Sequence, residues 1–361
     1  MIRRSQLSLK YMNQGKLASL DSFMVEAVRV VNIYIDLLWG TELTKFCSEK
    51  VETWLSARMQ QCLSKQALEI LKSQVKKAKE RGKDGKKKPL VKPVFKKESI
   101  TLDSRFFDVQ DSEGCFDTWI RFTSLGNKLQ VRVPTKKHEH FNEFIGGGWA
   151  RNNSCRLRRV NGTFYVDLFF EKEAPPKKTE GKDLGFDSGY NQLLVDSEGT
   201  LHDKDLKSFY GVIEGKKKGS KGFQRALRHR DHLVHEVVRS IDLSEVKTVV
   251  VEALRNVKYK TGGRRKKEFN SKQQRWVYPK VLGALSSRCE REGIRYVEVP
   301  PFYTSQRCSL CGRVHGASRV GSLFSCTCCG MEMDADFNAA KNILYLGVIA
   351  PESEKRFYEG P

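Results

Sequence analysis

No run of about eighteen apolar residues occurs anywhere in the chain, so no helix is expected to span a bilayer. The opening residues, "MIRRSQLSLKYMNQ", carry an arginine pair with no apolar stretch behind it, and neither a secretory nor a twin-arginine signal is expected. The ten cysteines are therefore expected in a reducing cytoplasm, where clustered thiols hold metal more often than they form disulfides. Negative charge is also scarce. Against 65 Lys plus Arg stand 43 Asp plus Glu, a formal charge of +22 over 361 residues. A surplus of that size without an amphipathic membrane anchor points to a polyanionic partner, nucleic acid, and the length suits two or three domains.

Four cysteines fall in two pairs, Cys308-x2-Cys311 in "CSLCG" and Cys326-x2-Cys329 in "FSCTCCG". Each two-residue spacing lets two thiolates converge on one tetrahedral ion, and Gly312 and Gly330 after the pairs permit the tight backbone. A zinc ribbon with one structural Zn2+ is predicted, since a closed four-sulfur site leaves no open position for chemistry. Cys328 is then a spare thiol and His315 a surface residue.

Oxygen ligands sit elsewhere. In "DADFNAAKNIL" a helix is predicted, with Asp334 as N-cap and Phe337, Ala340, Ile343 and Leu344 at helical spacing. Asp187 closes a short strand in "KDLGFDSGY", and Glu252 closes "VKTVVVE", an apolar run expected for a strand buried on both faces. A glutamate pointing unpaired into a core is costly, so Glu252 is expected at the carboxyl edge of the sheet. Helices over 221–240 and 278–291 and a strand over 294–300 complete an alternating order that implies a mixed or parallel sheet. In such sheets functional groups gather at the carboxyl ends of strands, where Asp187, Glu252 and an aspartate of the last helix can meet. Three such carboxylates suit Mg2+, and two ions about 4 Å apart suit phosphodiester hydrolysis. A basic chain with these acids reads as a nuclease.

The basic stretch 255–276 follows Glu252 directly, and its Arg264, Arg265, Lys266 and Lys267 are expected to touch phosphate as part of a lid over the site. His229, His232 and His235, three apart on one helix, are expected to pack on the sheet. In the first half, a strand in "RSQLSLKY" precedes a helix over 17–39 with its stripe at Leu20, Phe23, Ala27, Val31, Tyr34 and Leu38. A second helical region is expected over 44–79, then the basic linker "KKAKERGKDGKKKP", then strands over 98–171 that suggest a small barrel.

"GFDSGY", "VVVEAL", "YTSQRCSLCG" and "DADFNAAKNI", in this order and with the ribbon nested before the last, resemble the split RuvC nuclease domain of TnpB, the transposon-encoded RNA-guided nuclease related to compact type V CRISPR effectors. The likeness covers most of residues 181–348. It implies an α+β multidomain chain: a first wedge strand over 1–10, a helical recognition lobe over 11–90, the rest of the wedge barrel over 91–180, an RNase H-like (RuvC) domain over 181–302 and 331–361, and the zinc ribbon over 303–330. It also implies the Mg2+ triad Asp187, Glu252 and Asp336, with Asp334 at the neighbouring acidic position. Ser188 and Tyr190 depart from the residues usual around the first acid, which bears on substrate positioning more than on metal binding. The implied partners are a guide RNA and target double-stranded DNA, with the protein a monomer or dimer. The competing readings are a resolvase or transposase that needs no RNA, a binding-only regulator, and a zinc-ribbon transcription module.

Overall fold

The structure, a computed structural model, describes residues 1–79, 89–124, 129–190, 192–254 and 277–351. It divides into two compact units, Met1–Glu173 and Ala174–Pro361. No helix among the described residues is long and apolar enough to cross a membrane.

In the first unit, strand β1 (Ile2–Ser8) leads to helix α1 (Gln14–Leu38), started by the Asn13 side chain, which accepts from the Lys16 amide at 2.9 Å. All six residues of the expected stripe on α1 are buried. They pack with Met59, Leu63, Ala67 and Leu71 of α2 (Ala57–Lys79). The helical region expected from residue 44 begins only at Ala57, because Ser56 caps that end, its hydroxyl accepting from the Met59 amide. The preceding loop is held by side chains instead: Tyr34 and Ser64 donate to the Glu49 and Cys47 carbonyls, and Gln60 accepts from the Val51 amide. Strands β2 (Ser99–Asp103), β3 (Phe107–Asp111), β4 (Thr118–Thr123) and β5 (Gln130–Thr135), a short helix α3 (Glu139–Asn142), and strands β6 (Ala150–Val160) and β7 (Thr163–Glu171) complete this unit. They hydrogen-bond as two antiparallel sheets, β1-β7-β6-β2 and β3-β4-β5. The first strand pairs along its full length with the last, Ile2 opposite Glu171.

The second unit is built on a five-stranded sheet of order β10-β9-β8-β11-β12. These strands are β8 (Lys182–Asp187), β9 (Leu194–Asp196), β10 (Leu201–His202), β11 (Val246–Glu252) and β12 (Arg295–Val299). β8, β11 and β12 run parallel, whereas β9 is antiparallel to both of its neighbours. Helices α4 (Leu206–Glu214), α5 (Lys221–Ser240) and α6 (Tyr278–Arg291) supply apolar residues that pack with Val246, Val249 and Val251 of β11. A small antiparallel sheet, β13 (Arg319–Val320), β14 (Leu323–Ser325) and β15 (Glu332–Asp334), precedes helix α7 (Ala335–Leu344), which lies across β8.

That crossing depends on Gly185. A Cβ added there would stand 2.5 Å from the Ala340 carbonyl oxygen and 2.7 Å from the Leu344 nitrogen, both backbone atoms that cannot swing aside. Gly185→Ala is expected to push α7 off the sheet and destabilise this unit by about 3 kcal/mol, read as a lower midpoint in thermal or urea unfolding. An unchanged midpoint would show that the close approach does not matter.

Candidate active site and zinc ribbon

Asp187 is the last residue of β8 and Glu252 the last of β11, and the parallel register that sets Phe186 opposite Val251 brings the two acids side by side. The third acid comes from α7. Asp334 is its N-cap: the carboxylate accepts from the Asp336 and Phe337 amides at 2.9 and 3.0 Å, which turns it to the helix end. Asp336, in the first turn, lies toward Asp187, with one oxygen 3.8 Å from where a Cβ on Gly189 would stand.

The crowding of these acids is visible in their protonation. Burial pushes the Asp187 carboxyl well above the usual carboxylate range, the charges of Glu252 and Asp336 push it further, and Arg319 opposes them. Burial also raises Glu252, to about 7, against a hydrogen bond from Thr304 and the charge of Arg319. The three carboxylates are electrostatic neighbours, but their oxygens are not gathered within 4.8 Å of one another; among the described residues only the cysteine quartet meets that test. The reason is local. Arg319 of β13 holds one Asp336 oxygen at 2.6 Å, and the Thr304 hydroxyl donates to Glu252. A set of partly buried hard oxygens under mutual repulsion suits a hard divalent cation, which would relieve that repulsion.

Cys308, Cys311, Cys326 and Cys329 bring their sulfurs together. Cys308 and Cys329 are 3.7 Å apart and Cys311 and Cys326 3.6 Å, close to the roughly 3.8 Å edge of a tetrahedron with Zn–S bonds of about 2.3 Å. Gly312 and Gly330 take the positive φ values, 78° and 70°, that the knuckle turns require. The Cys328 and Cys329 amides donate to the Cys326 sulfur and pull its thiol down to about 6, so it is ready to bind as thiolate. Cys328 itself is exposed and outside the quartet, as is His315, so the donor set fits one structural Zn2+.

Other sequence candidates part company. His229 lies edge-on against Phe209, His232 pairs with Glu236, and all three histidines are exposed, so they do not pack on the sheet as expected and form no common site. Arg264, Arg265, Lys266 and Lys267 lie outside the described residues. Sequence reasoning missed Arg319 and Thr304, since neither a ribbon arginine nor a threonine before a cysteine pair carries a local mark. Only the position of "YTSQRC" beside a strand end could have pointed to Thr304.

Comparison with known proteins fits this arrangement. Residues 278–343 match the family model described as Cas12f1-like, TNB domain. The chain is 42% identical over 71 residues to the CRISPR-associated endodeoxyribonuclease Cas12f1 of Sulfoacidibacillus thermotolerans, covering 19% of this chain and 17% of that protein. It is 26% identical over 293 residues to Cas12f2 of a Micrarchaeota archaeon, covering 68% of this chain and 53% of that one. Over 118 residues it is 31% identical to a TnpB-like protein of Aquifex aeolicus, covering 31% of this chain and 38% of the relative. The chain thus spans about half the length of Cas12f2, and less of the other two. In fold it resembles a Cas12f1 solved with sgRNA and target DNA, with a TM-score of 0.59 at 15% identity, over 92% of this chain and 83% of that one. Residues 278–343 thus match a Cas12f1-like TNB domain, and the chain is similar to TnpB-like and Cas12f proteins.

Proposed function

We propose that this protein is an RNA-guided DNA endonuclease that cuts target DNA beside a short flanking motif at a single RuvC-like site. The observation that carries the reading is that Asp187, Glu252 and Asp336, drawn from two adjacent parallel strands and a helix start far apart in sequence, lie close enough for the last two to act on the charge of the first. Five strands with one antiparallel member, order β10-β9-β8-β11-β12, are what an RNase H-like domain asks for. Asp187, Glu252 and Asp336 would hold two Mg2+ ions, which when bound activate water and stabilise the leaving oxygen of a phosphodiester. The chain's own contribution is to fix two acids at strand ends and the third in the first turn of α7, shield them partly from bulk water and place the Arg319 guanidinium beside them, where it can meet a phosphate oxygen. The ribbon then serves as structure beside the substrate path. Basic residues spread along the chain, Arg264 to Lys267 among them, suit sequence-independent contact with an RNA–DNA heteroduplex, base pairing being left to the guide.

Expression with the native flanking DNA tests this. The protein is expected to copurify with one defined RNA and, with Mg2+, to cut a plasmid matching that RNA's end. Binding without cutting would make it a regulator, and cutting without RNA would hand it to the resolvase or transposase reading.

A further inference from the structure

The segment between β12 and the first zinc ligand is held with more hydrogen bonds than a connecting loop needs. Tyr303, a bulky residue, sits in the left-handed region at φ 64°, a conformation that persists only where its surroundings over-determine it. Its carbonyl accepts from the Gln306 and Arg307 amides, both at 2.9 Å, closing the turn. Two asparagines on one face of α7, both fully buried, clamp the backbone from Thr304 to Ser309. The Asn342 amide group donates to the Thr304 carbonyl at 2.9 Å and to the Arg307 carbonyl at 2.7 Å. Asn338 donates to the Arg307 carbonyl at 2.8 Å and accepts from the Ser309 amide at 2.9 Å. The Arg307 guanidinium returns a bond to Asn342 at 3.0 Å and lies 4.2 Å over the Tyr345 ring. At the centre of this clamp Thr304, 2% exposed, donates its hydroxyl to the Glu252 carboxylate.

We propose that Thr304 is a positioning residue for metal binding: its hydroxyl fixes the Glu252 carboxylate, and Asn338 and Asn342 fix Thr304 relative to the helix that carries Asp336. The inference rests on the reading of Asp187, Glu252 and Asp336 as a divalent-cation site. A carboxylate free to rotate presents its oxygens to the ion only part of the time, whereas one held by a buried donor is oriented before the ion arrives. Groups that orient a ligand in this way change metal affinity by about 10–100-fold when removed. The two asparagines also fasten the chain on either side of Cys308, so one helix face sets both the second acid and the first zinc ligand.

The test is Mn2+ binding to the full-length protein, followed by electron paramagnetic resonance of the free ion, in wild type, Thr304→Val, Thr304→Ser and Asp187→Ala. Valine keeps the shape of threonine and removes the hydroxyl; serine keeps the hydroxyl. The expected result is Mn2+ affinity at least about tenfold weaker for Thr304→Val and near wild type for Thr304→Ser, with zinc content unchanged in both. Equal affinity of wild type and Thr304→Val, with binding lost in Asp187→Ala, overturns the positioning role and leaves the cation site standing. Equal loss in Thr304→Val and Thr304→Ser also overturns it, because packing rather than the hydroxyl would then matter. Unaltered binding in Asp187→Ala overturns the cation site and this inference together.

Discussion

Asp187→Ala is expected to lower guided cleavage by at least about a thousandfold and, at the same time, to make the metal-free protein more stable at neutral pH. Both effects come from one source. Asp187 sits at the end of β8 between Glu252 and Asp336, and its carboxylate is disfavoured by burial and by both neighbours. Under the proposed function these like charges await cations, and removing one of them is expected to remove both the binding and the repulsion. Burial of the neighbouring Glu252 sets a pH dependence as well. Glu252 titrates near 7 in the folded protein against an ordinary 4.5, so the folded state keeps a proton that the unfolded chain releases between those values. Metal-free stability therefore falls as pH rises from about 4.5 to 7, by on the order of 3 kcal/mol from this group alone. Differential scanning calorimetry at pH 5 and pH 8, with chelator, reads it. The wild-type midpoint should drop over that range, while that of Asp187→Asn should drop less. A variant no more stable than wild type at pH 8 would mean that the three acids do not repel one another in the folded chain.

Loss of zinc is the second large effect. Binding of a structural zinc is worth roughly 10–16 kcal/mol in small zinc-finger peptides, more than the ribbon's own apolar contacts can replace. Few buried apolar side chains surround the knuckles, chiefly Phe324, Ala335 and the cysteines themselves. Cys308→Ser is expected to lose one equivalent of zinc by atomic absorption, to open 308–329 to proteolysis and to abolish cutting. The five-stranded sheet, whose core lies in a separate cluster, should keep its far-ultraviolet circular dichroism. Cutting should fail because β13 carries Arg319 onto Asp336, and the 303–309 turn carries Thr304 onto Glu252. A Cys308→Ser protein that still holds one zinc would break the four-sulfur assignment.

The legible parts of this protein were those written locally. Two-residue cysteine spacings mark a knuckle wherever they occur, and apolar runs that end in an acid mark strand ends, which is why the cysteine quartet and the carboxylates at Asp187 and Glu252 could be read directly. The α1 stripe was equally legible from its period. The features that could not be read depend on partners distant in sequence. Asp334 and Asp336 differ by two positions, and only the cap hydrogen bonds separate a helix end from a site residue. The division of the strands into two ladders was not legible, because strand pairing is set by neighbours that periodicity does not name. Arg319 and Thr304 acquire meaning only after the ribbon is folded against the sheet, and the loop before Ala57 is shaped by side chains of two helices rather than by its own propensity.

The seat of α7 on β8 has a consequence during synthesis. Gly185 meets Ala340 and Leu344, so the strand bearing the first acid receives the helix bearing the third only after almost all of the intervening chain has been made. A growing polypeptide that has left the ribosome up to the zinc ribbon owns two acids and most of a sheet but not the third acid. The last piece of the acidic cluster to be translated is therefore also the piece that locks it.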